Sequence, residues 1–370
     1  MLRVVGHLDL DYFYAQVEEV ENPSLKGMPV IVCVFSGRTE DSGVVSTANY
    51  KARGLGVHSG MPIVLAKKKL EGIDSAVIRM DHEKYEVVSG RIMEIVREKV
   101  DVLEPTGIDE AFFDLTSSTG GDFEEARYVA EGIKGAILEH EKLTCSVGLG
   151  RSKVVAKLGS DMAKPNGLTI IAPGRTEEVL GPLQVTRLYG VGPKISSVLE
   201  DMGIRTVGEL AQASPSALEK SFGKKLGGYL LAAATGTDDG PVVAGLEPTQ
   251  FSRIVTLKRD TRDPEEVFSQ LTDGVDYIHG KLAASRKSFR TLTAIGILTD
   301  LSTKTRSKTF EIPIDEAATL KESTFELLRE LSGSIEKDYR RAGVRVSGLS
   351  RSDDQHSLSE FIASEGRGHV

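Results

Sequence analysis

Glu104-Pro-Thr-Gly-Ile-Asp-Glu-Ala-Phe-Phe-Asp-Leu115 sets two adjacent acids, Asp109 and Glu110, between apolar runs of strand-forming residues. Far upstream, Asp9 ends another short apolar strand, Val4 to Leu8. A pair of acids at a strand end is most often a solvated turn. Here the flanking runs pin the charges near a core, where idle carboxylates are costly. Carboxylates crowded at strand tips repel one another unless a cation neutralises them, and hard oxygen ligands that leave room for phosphates suit magnesium. The reading is a divalent-metal site for phosphoryl or nucleotidyl transfer. Asp11 shares the strand face of Asp9 only if the strand continues. A helix begins there, so Asp11 is read as structural.

Outward from these acids the chain alternates strand and helix patterns. Strand Arg3 to Asp9 leads into a helical stretch, Phe13 to Val20, then strand Pro29 to Phe35 and a Gly/Ser-rich loop, Ser36 to Gly43. From Asp81, Tyr85, Val88, Ile92, Ile95 and Val96 recur at helical spacing. Two strands follow around Asp109-Glu110, then helix Phe123 to Glu139 and strand Thr144 to Gly150. With residues 12 to 80 set aside, the order is β-α-β-β-α-β, an antiparallel sheet backed by helices with a large insertion after its first strand. The second half repeats that order: strand Ser252 to Lys258, a helix with an apolar stripe from Phe268 to Leu282, strands Thr291 to Thr299 and Lys304 to Ile312, helix Asp315 to Glu336, strand Gly343 to Leu349. Between the halves, residues 174 to 234 read as short helices and residues 235 to 245 as a linker. The tail after Ser350 is polar and expected to be disordered.

A chain of 370 residues exceeds one comfortable core, so two to four compact units are expected. No apolar run reaches the length of a bilayer, and the start lacks the basic residues and cleavage site of a signal peptide; a cytoplasmic protein is expected. Cys33 and Cys145 lie in apolar runs without metal-ligand spacing and read as buried free thiols. The net charge of −8 argues against a nucleic-acid partner. Distribution argues the other way: between Lys281 and Lys308, seven basic residues (Lys281, Arg286, Lys287, Arg290, Lys304, Arg306, Lys308) face one acid, Asp300. A solvated face would intersperse the signs, so this stretch is read as facing phosphates.

Smaller motifs carry weight only in company. Gly190 and Gly192 precede a helix that opens with Pro193 and Lys194, the form of a helix-hairpin-helix whose backbone N–H groups can approach a DNA phosphate. A plain tight turn is the alternative. Phe222-Gly-Lys-Lys-Leu-Gly-Gly228 is a weaker, degenerate second copy. Tyr50 and Arg53, spaced i and i+3, offer a phenol and a guanidinium on one helix face, a pair able to clamp a triphosphate. Gly120-Gly-Asp-Phe-Glu124 nearly spells the signature of cyclic-dinucleotide cyclases, but an amphipathic helix follows, and Asp122 is read as its cap.

Together these residues resemble the Y family of lesion-bypass DNA polymerases, on its DinB-like archaeal branch. The resemblance runs through Asp9 to Gln16, Asn22 to Gly27, Val32 to Arg38, Thr47 to Arg53, Ile108 to Ala111, Asp161 to Gly167 and Arg253 to Lys258, roughly residues 1 to 348. It implies an α+β right-hand polymerase: a ferredoxin-like palm (1–11 and 81–170), small fingers (12–80), a helical thumb (171–234), a linker (235–245) and a β-α-β-β-α-β little finger (246–348). It implies that Asp9, Asp109, Glu110 and the carbonyl of Leu10 hold two magnesium ions. Thr47, Tyr50, Arg53 and Lys164 match triphosphate contacts, and Tyr14 matches the aromatic gate that refuses a ribose 2′-hydroxyl. Primer-template DNA and a deoxynucleoside triphosphate are the implied partners of a monomeric, low-fidelity enzyme without proofreading, with Arg253 and the basic cluster on the DNA. In the tail, Gln355, Leu358, Phe361 and Ile362 resemble the peptide that plugs a PCNA-type sliding clamp. Two rivals stand beside this reading, a nucleotide cyclase and a DNA-binding scaffold that has lost its chemistry.

Overall fold

Val5–Leu10 (β1) is buried along nearly its whole length, as a central strand must be, and the rest of the first sheet is built around it. The structure is a computed structural model that describes residues 1–245 and 247–351. The chain divides into two compact units, residues 1–34 with 44–246, and residues 35–43 with the C-terminal part from Glu247.

In the first unit β1 is followed by α1 (Phe13–Glu21), β2 (Val30–Phe35), β3 (Gly43–Ala48), α2 (Tyr50–Gly54), α3 (Ile63–Lys69) and β4 (Ala76–Arg79). Then come α4 (His82–Arg97), β5 (Val102–Pro105), β6 (Glu110–Asp114), α5 (Phe123–Glu141), β7 (Cys145–Gly150), α6 (Lys153–Met162) and β8 (Leu168–Ile170). The main sheet has the order β5-β6-β1-β7-β8, antiparallel except for the pair β7–β8. Setting aside the insertion and β8, this is the ferredoxin-like arrangement expected from the sequence. The insertion folds its own small sheet, β3-β2-β4.

The helical spacing of the apolar residues decides which faces turn inward. Tyr85, Val88, Ile92 and Val96 of α4 and Ala126, Ala130, Ile133 and Ile137 of α5 pack on the sheet in one core. A fully buried isoleucine such as Ile92 or Ile133 contributes about 2 kcal/mol of transfer free energy. Asp81 caps α4 through Lys84 N, and Asp122 caps α5 by accepting from Glu124 N at 2.7 Å and Glu125 N at 3.3 Å. The Gly120-Gly-Asp-Phe segment is thus a helix start, as its amphipathic sequel predicts. Gly148 of β7 lets α6 lie directly on the sheet, since a Cβ there would come 2.0 Å from the carbonyl oxygen of Ala156.

Helices α7 (Thr176–Leu180), α8 (Pro193–Asp201), α9 (Val207–Ala211) and α10 (Pro215–Ala234) gather around a separate apolar cluster that includes Leu180, Leu199, Leu210 and Leu230. The segment read as a linker is anchored at several points: the Gly240 carbonyl accepts from Arg3, Val242 is buried with Val5, Phe112 and Ala156, and Val243 N donates to Glu104 Oε2 at 2.8 Å. Its Pro-Val-Val core supplies apolar surface that a freely solvated linker would leave in water.

The second unit runs β9 (Gln250–Thr261), α11 (Pro264–Ser285), β10 (Lys287–Leu298), β11 (Thr303–Ile314), α12 (Ala317–Gly333), β12 (Tyr339–Ser347) and β13 (Ser350–Arg351). The element order repeats that of the first unit, but the spatial order does not. It is β11-β10-β12-β9, so its first strand is an edge, whereas β1 is internal. Both helices cover one face, burying Leu271, Val275, Ile278, Leu327 and Leu331. Residues 35–43 group with this unit, where Arg38 ion-pairs with Asp260.

Candidate active site

Strands β1 and β6 are antiparallel neighbours in a register that sets Asp9 opposite Glu110. The β5–β6 turn closes on itself, with Thr106 N and Gly107 N both donating to the carbonyl of Glu110, and Leu10 N donates to the carbonyl of Asp109 at 2.8 Å. Acids about 100 residues apart in sequence are therefore brought to one sheet end by a ladder, as the three strand tips predict. Asp11 points elsewhere. It is 1% exposed and accepts from Ser146 Oγ, Thr144 Oγ1 and Asn166 N, each at 2.8 Å, so its role is to tie β1 to β7 and to the turn before β8.

Asp9, Leu10 and Asp109 line a cavity of about 380 Å³ together with Tyr14, Thr47, Tyr50, Arg53 and Lys164. The cavity thus collects the expected triphosphate contacts and the expected gate. Ser46 and Ser59 line it as well, and nothing in the sequence singles them out. Local chemistry fixes each contributor. Asn49 Oδ1 caps α2 by accepting from Ala52 N at 2.9 Å and also accepts from Val30 N, which sets Tyr50 and Arg53 at the rim. Arg53 lies over the Tyr50 ring, 4.9 Å from its centroid, and donates through Nε to the carbonyl of Ala48. The Tyr50 hydroxyl is buried without a hydrogen-bond partner, a polar atom left for a ligand. Tyr14 stacks on Tyr85, with centroids 4.5 Å apart and planes 26° from parallel.

The carboxylates differ in their electrostatics. Burial raises the Asp9 carboxyl above its usual range even though Lys164 Nζ stands 2.7 Å from Oδ2. Burial, reinforced by Glu110, raises Asp109 too. Glu110 is held at about 2 by His7 and Lys157 against its own burial. His7 Nε2 is 3.6 Å from Glu110 Oε2, beyond hydrogen-bond length, and burial lowers the imidazole's own pKa. The Lys157 ammonium, in direct contact with the carboxylate, is therefore the firmer cause.

Among the described residues no three histidine, cysteine or acidic side chains stand close enough together to hold one metal ion. Lysines pair with two of the acids, Lys164 with Asp9 and Lys157 with Glu110. The donor set still fits a hard divalent cation: clustered carboxylates, two of them with raised pKa values, carry an excess of negative charge that such an ion would relieve. The sequence reading misses Lys157 and His7. A partial signal exists, since Lys153, Lys157, Asp161 and Lys164 recur at helical spacing along α6 and its end.

Away from this cavity, Gly190 has φ of 84°, a left-handed conformation that favours glycine, and Gly192 is the N-cap of α8 with Pro193 in its first turn and Lys194 exposed. The basic stretch of the second unit is partly neutralised in space. Lys287 is 7% exposed and ion-pairs with Glu247 at 2.7 Å, Arg306 pairs with Glu330 and Lys308 with Glu326. The excess of positive charge counted along the sequence is corrected accordingly, because these acids arrive from elements outside the counted interval. Lys281 and Arg253 both lie over the Tyr277 ring of α11, and Arg290 donates to the carbonyl of Glu311. Arg286 caps the end of α11, and Lys304 is exposed on β11. The helix-free face of the sheet carries rows such as Ser307, Thr293, Arg345 and Ser252, with Arg341 on the same strand as Arg345. The sequence reading misses both arginines, because only the strand order reveals that face. Gln355, Leu358, Phe361 and Ile362 lie outside the described residues.

The chain matches the impB/mucB/samB family over residues 8–161 and that family's C-terminal domain over residues 248–359. Residues 186–238 match the DNA polymerase-iota thumb domain. It is 41% identical over 367 residues to a DNA polymerase IV of Methanosarcina acetivorans, covering 98% of this chain and 100% of that one. With a DNA polymerase IV of Nitrosopumilus maritimus it shares 40% identity over 362 residues, 97% of this chain and 99% of the relative. Among solved structures, the Y-family DNA polymerase chimera Dbh-Dpo4(243-245)-Dbh superposes with a TM-score of 0.88 at 35% identity, covering 94% of this chain and 99% of the chimera. An insertion ternary complex of Dbh DNA polymerase gives 0.68 at the same identity and the same coverage of both chains.

Proposed function

The chain belongs to the Y family of DNA polymerases, on its DinB-like branch, and from that premise we propose that it extends a primer across damaged template by two-metal nucleotidyl transfer. The family is metal-dependent. The observation that carries the reading is the convergence of Asp9 and Asp109 with Tyr14, Thr47, Tyr50, Arg53 and Lys164 on one cavity.

Asp9, Asp109, Glu110 and the carbonyl of Leu10 would hold two magnesium ions. When bound, the ions supply a lowered pKa at the primer 3′-hydroxyl and neutralise charge on the triphosphate and on the leaving pyrophosphate. Arg53, Lys164 and the Tyr50 hydroxyl grip the triphosphate, with Thr47 beside them, and fix it for in-line attack. Tyr14, braced by Tyr85, packs under the sugar and excludes a 2′-hydroxyl. Low fidelity without proofreading belongs to the same reading.

The partition into palm, fingers, thumb and little finger follows the boundaries given above. Gly190, Gly192 and Lys194 contact the primer-template backbone from the thumb. Arg253, Lys281, Arg286, Arg290 and Lys304 do so from the second unit, with Arg341 and Arg345 on the open sheet face. Lys287, Arg306 and Lys308 must first release their glutamates. Gln355, Leu358, Phe361 and Ile362 tether the enzyme to a PCNA-type clamp, which raises its local concentration on DNA. A monomer acting in the cytoplasm completes the proposal; no helix of the described residues is long and apolar enough to cross a membrane.

Primer extension on an abasic template and an undamaged control, with magnesium, tests the reading. Extension past the lesion by wild type and not by Asp109→Ala is expected. DNA binding by both proteins without incorporation by either, on either template, would leave a scaffold in place of an enzyme.

A further inference from the structure

Helix α1 carries two consecutive acids with different partners. Glu18 is buried and is taken up by Lys84 Nζ at 2.6 Å and by the Tyr85 hydroxyl at 2.5 Å. Glu19, one residue on, accepts instead from the residue that starts α2 and from a tyrosine that lines the cavity of Asp9 and Asp109. Asn49 Nδ2 donates to its Oε1 at 2.7 Å, and the Tyr12 hydroxyl donates to its Oε2 at 3.3 Å.

Asn49 is 4% exposed and caps α2, the five-residue helix that bears Tyr50 and Arg53. A side-chain amide can make four hydrogen bonds, and this one makes all four. Its Oδ1 accepts from Val30 N and Ala52 N, and its Nδ2 donates to the carbonyl of Met28 and to Glu19. A helix this short has little stability of its own, so the aim of Tyr50 and Arg53 is set by what holds Asn49. The other three partners lie between Met28 and Ala52; only Glu19 ties Asn49 to α1, the helix that follows directly on the end of β1 where Asp9 stands.

Tyr12 supplies a second tie. It precedes α1 with φ of 36° and ψ of 45°, a left-handed backbone that a bulky side chain rarely adopts, and its ring meets that of Tyr50 edge-on with centroids 5.4 Å apart. Such a conformation persists only where the surroundings hold it. The Tyr50 ring and the Glu19 carboxylate are two of its holds. At 3.3 Å the hydroxyl contact is long for an O–H donor, whereas the Asn49 contact is short and charge-assisted, so Asn49 carries the larger share.

We infer that Glu19 is a positioning residue for nucleotide binding: its carboxylate holds Asn49 and Tyr12 together and so fixes Tyr50 and Arg53 relative to Asp9. Glu19 is not among the residues that line the cavity, and it acts through those that do. Loss of the carboxylate loosens the grip on the incoming triphosphate and leaves the acids Asp9, Asp109 and Glu110 in place. The choice of nucleotide as ligand rests on the polymerase reading.

The test is single-nucleotide insertion by the full chain at saturating primer-template, for wild type, Glu19→Ala, Glu19→Gln, Tyr12→Phe and the double variant Glu19→Ala/Tyr12→Phe. Glu19→Ala is expected to raise the KM for dNTP about tenfold, the low end for a lost charge-assisted hydrogen bond, with kcat unchanged. Glu19→Gln, whose amide can accept from Asn49 and donate to Tyr12, should stay near the wild-type KM. Tyr12→Phe keeps the ring and should raise KM about threefold, with no further rise in the Glu19→Ala background. An unchanged KM in Glu19→Ala, a loss confined to kcat, or a full additional effect of Tyr12→Phe in the alanine background overturns the inference. Tyr12→Phe preserves the packing and decides the matter if the alanine variant fails to fold: an unchanged KM in it overturns the inference as well. Failure of wild type to extend primers would sink the polymerase reading instead, and it is read in a separate assay.

Discussion

Lys164 Nζ stands 2.7 Å from Asp9 Oδ2 and 2.8 Å from Asp161 Oδ1, so one ammonium bridges the end of β1 and the end of α6. The bridge does not fully offset the burial of Asp9, whose carboxyl stays above its usual range. A triphosphate entering the cavity offers this lysine a more highly charged partner, and a metal ion offers Asp9 a better cation. On the proposed reading, the pairing with Lys164 holds Asp9 in position until those ligands arrive.

Lys164→Met removes a charge-assisted contact worth about 1.5–3 kcal/mol, so kcat/KM for correct dNTP insertion should fall by roughly 10- to 150-fold. Single-nucleotide insertion kinetics at saturating DNA measure this. Unaltered kinetics would mean that the lysine serves only to neutralise Asp9.

Asp11 and Asp9 lie close in the chain and should respond oppositely. Asp11→Ala strips three 2.8 Å hydrogen bonds from a side chain that solvent does not reach, and a loss of about 3 kcal/mol is expected. Thermal unfolding reads it. Asp9→Asn keeps the volume and removes a poorly solvated charge, so it should abolish primer extension with little change in the melting temperature. A stable Asp11→Ala protein, or a collapsed Asp9→Asn one, would reverse these assignments.

The contrast between these two acids shows what the sequence can and cannot reveal. Asp9, Asp109 and Glu110 are legible because each sits at the tip of an apolar strand, a local signal. The ferredoxin-like order follows from the same periodicity. The pairing of Lys157 is not legible beyond its helical spacing, because its partner Glu110 lies 47 residues away and the packing of α6 on the sheet, across Gly148, brings them together. The neutralisation of Lys287 by Glu247 escapes for the same reason: charge counted along a segment omits acids supplied by other elements. The strand order of the second sheet is a pairing choice that element order leaves open, so the open face bearing Arg341 and Arg345 stays hidden.

Tyr14 rests on Tyr85, and Tyr85 in turn donates a 2.5 Å hydrogen bond to Glu18 Oε1, so the proposed gate is backed by a fixed aromatic rather than by solvent. Tyr14→Ala should raise incorporation of ribonucleotides relative to deoxyribonucleotides by roughly 100-fold or more. Loss of the stack costs about 1 kcal/mol, too little to unfold the chain. Competition between ATP and dATP opposite template thymine measures the ratio, and an unchanged ratio would remove Tyr14 from the gate.

Both thiols should be inert in the native protein. Cys33 is 0% and Cys145 1% exposed, and burial pushes their pKa values up to about 11 and about 12. The reactive species is the thiolate, which is scarce for both at about pH 8 and shielded as well. A thiol-disulfide reagent at that pH is therefore expected to react slowly with folded protein and to titrate both groups in denaturant. The linkage runs in a definite direction. In the unfolded chain both thiols ionise near their ordinary value of 9.0, while in the fold they stay protonated, so stability is unaffected below that pH and declines as pH rises from about 9 towards 12. Substituting Cys33→Ala and Cys145→Ala together should flatten that alkaline decline in a pH series of urea midpoints. An equally steep decline in the double variant would assign it to other groups.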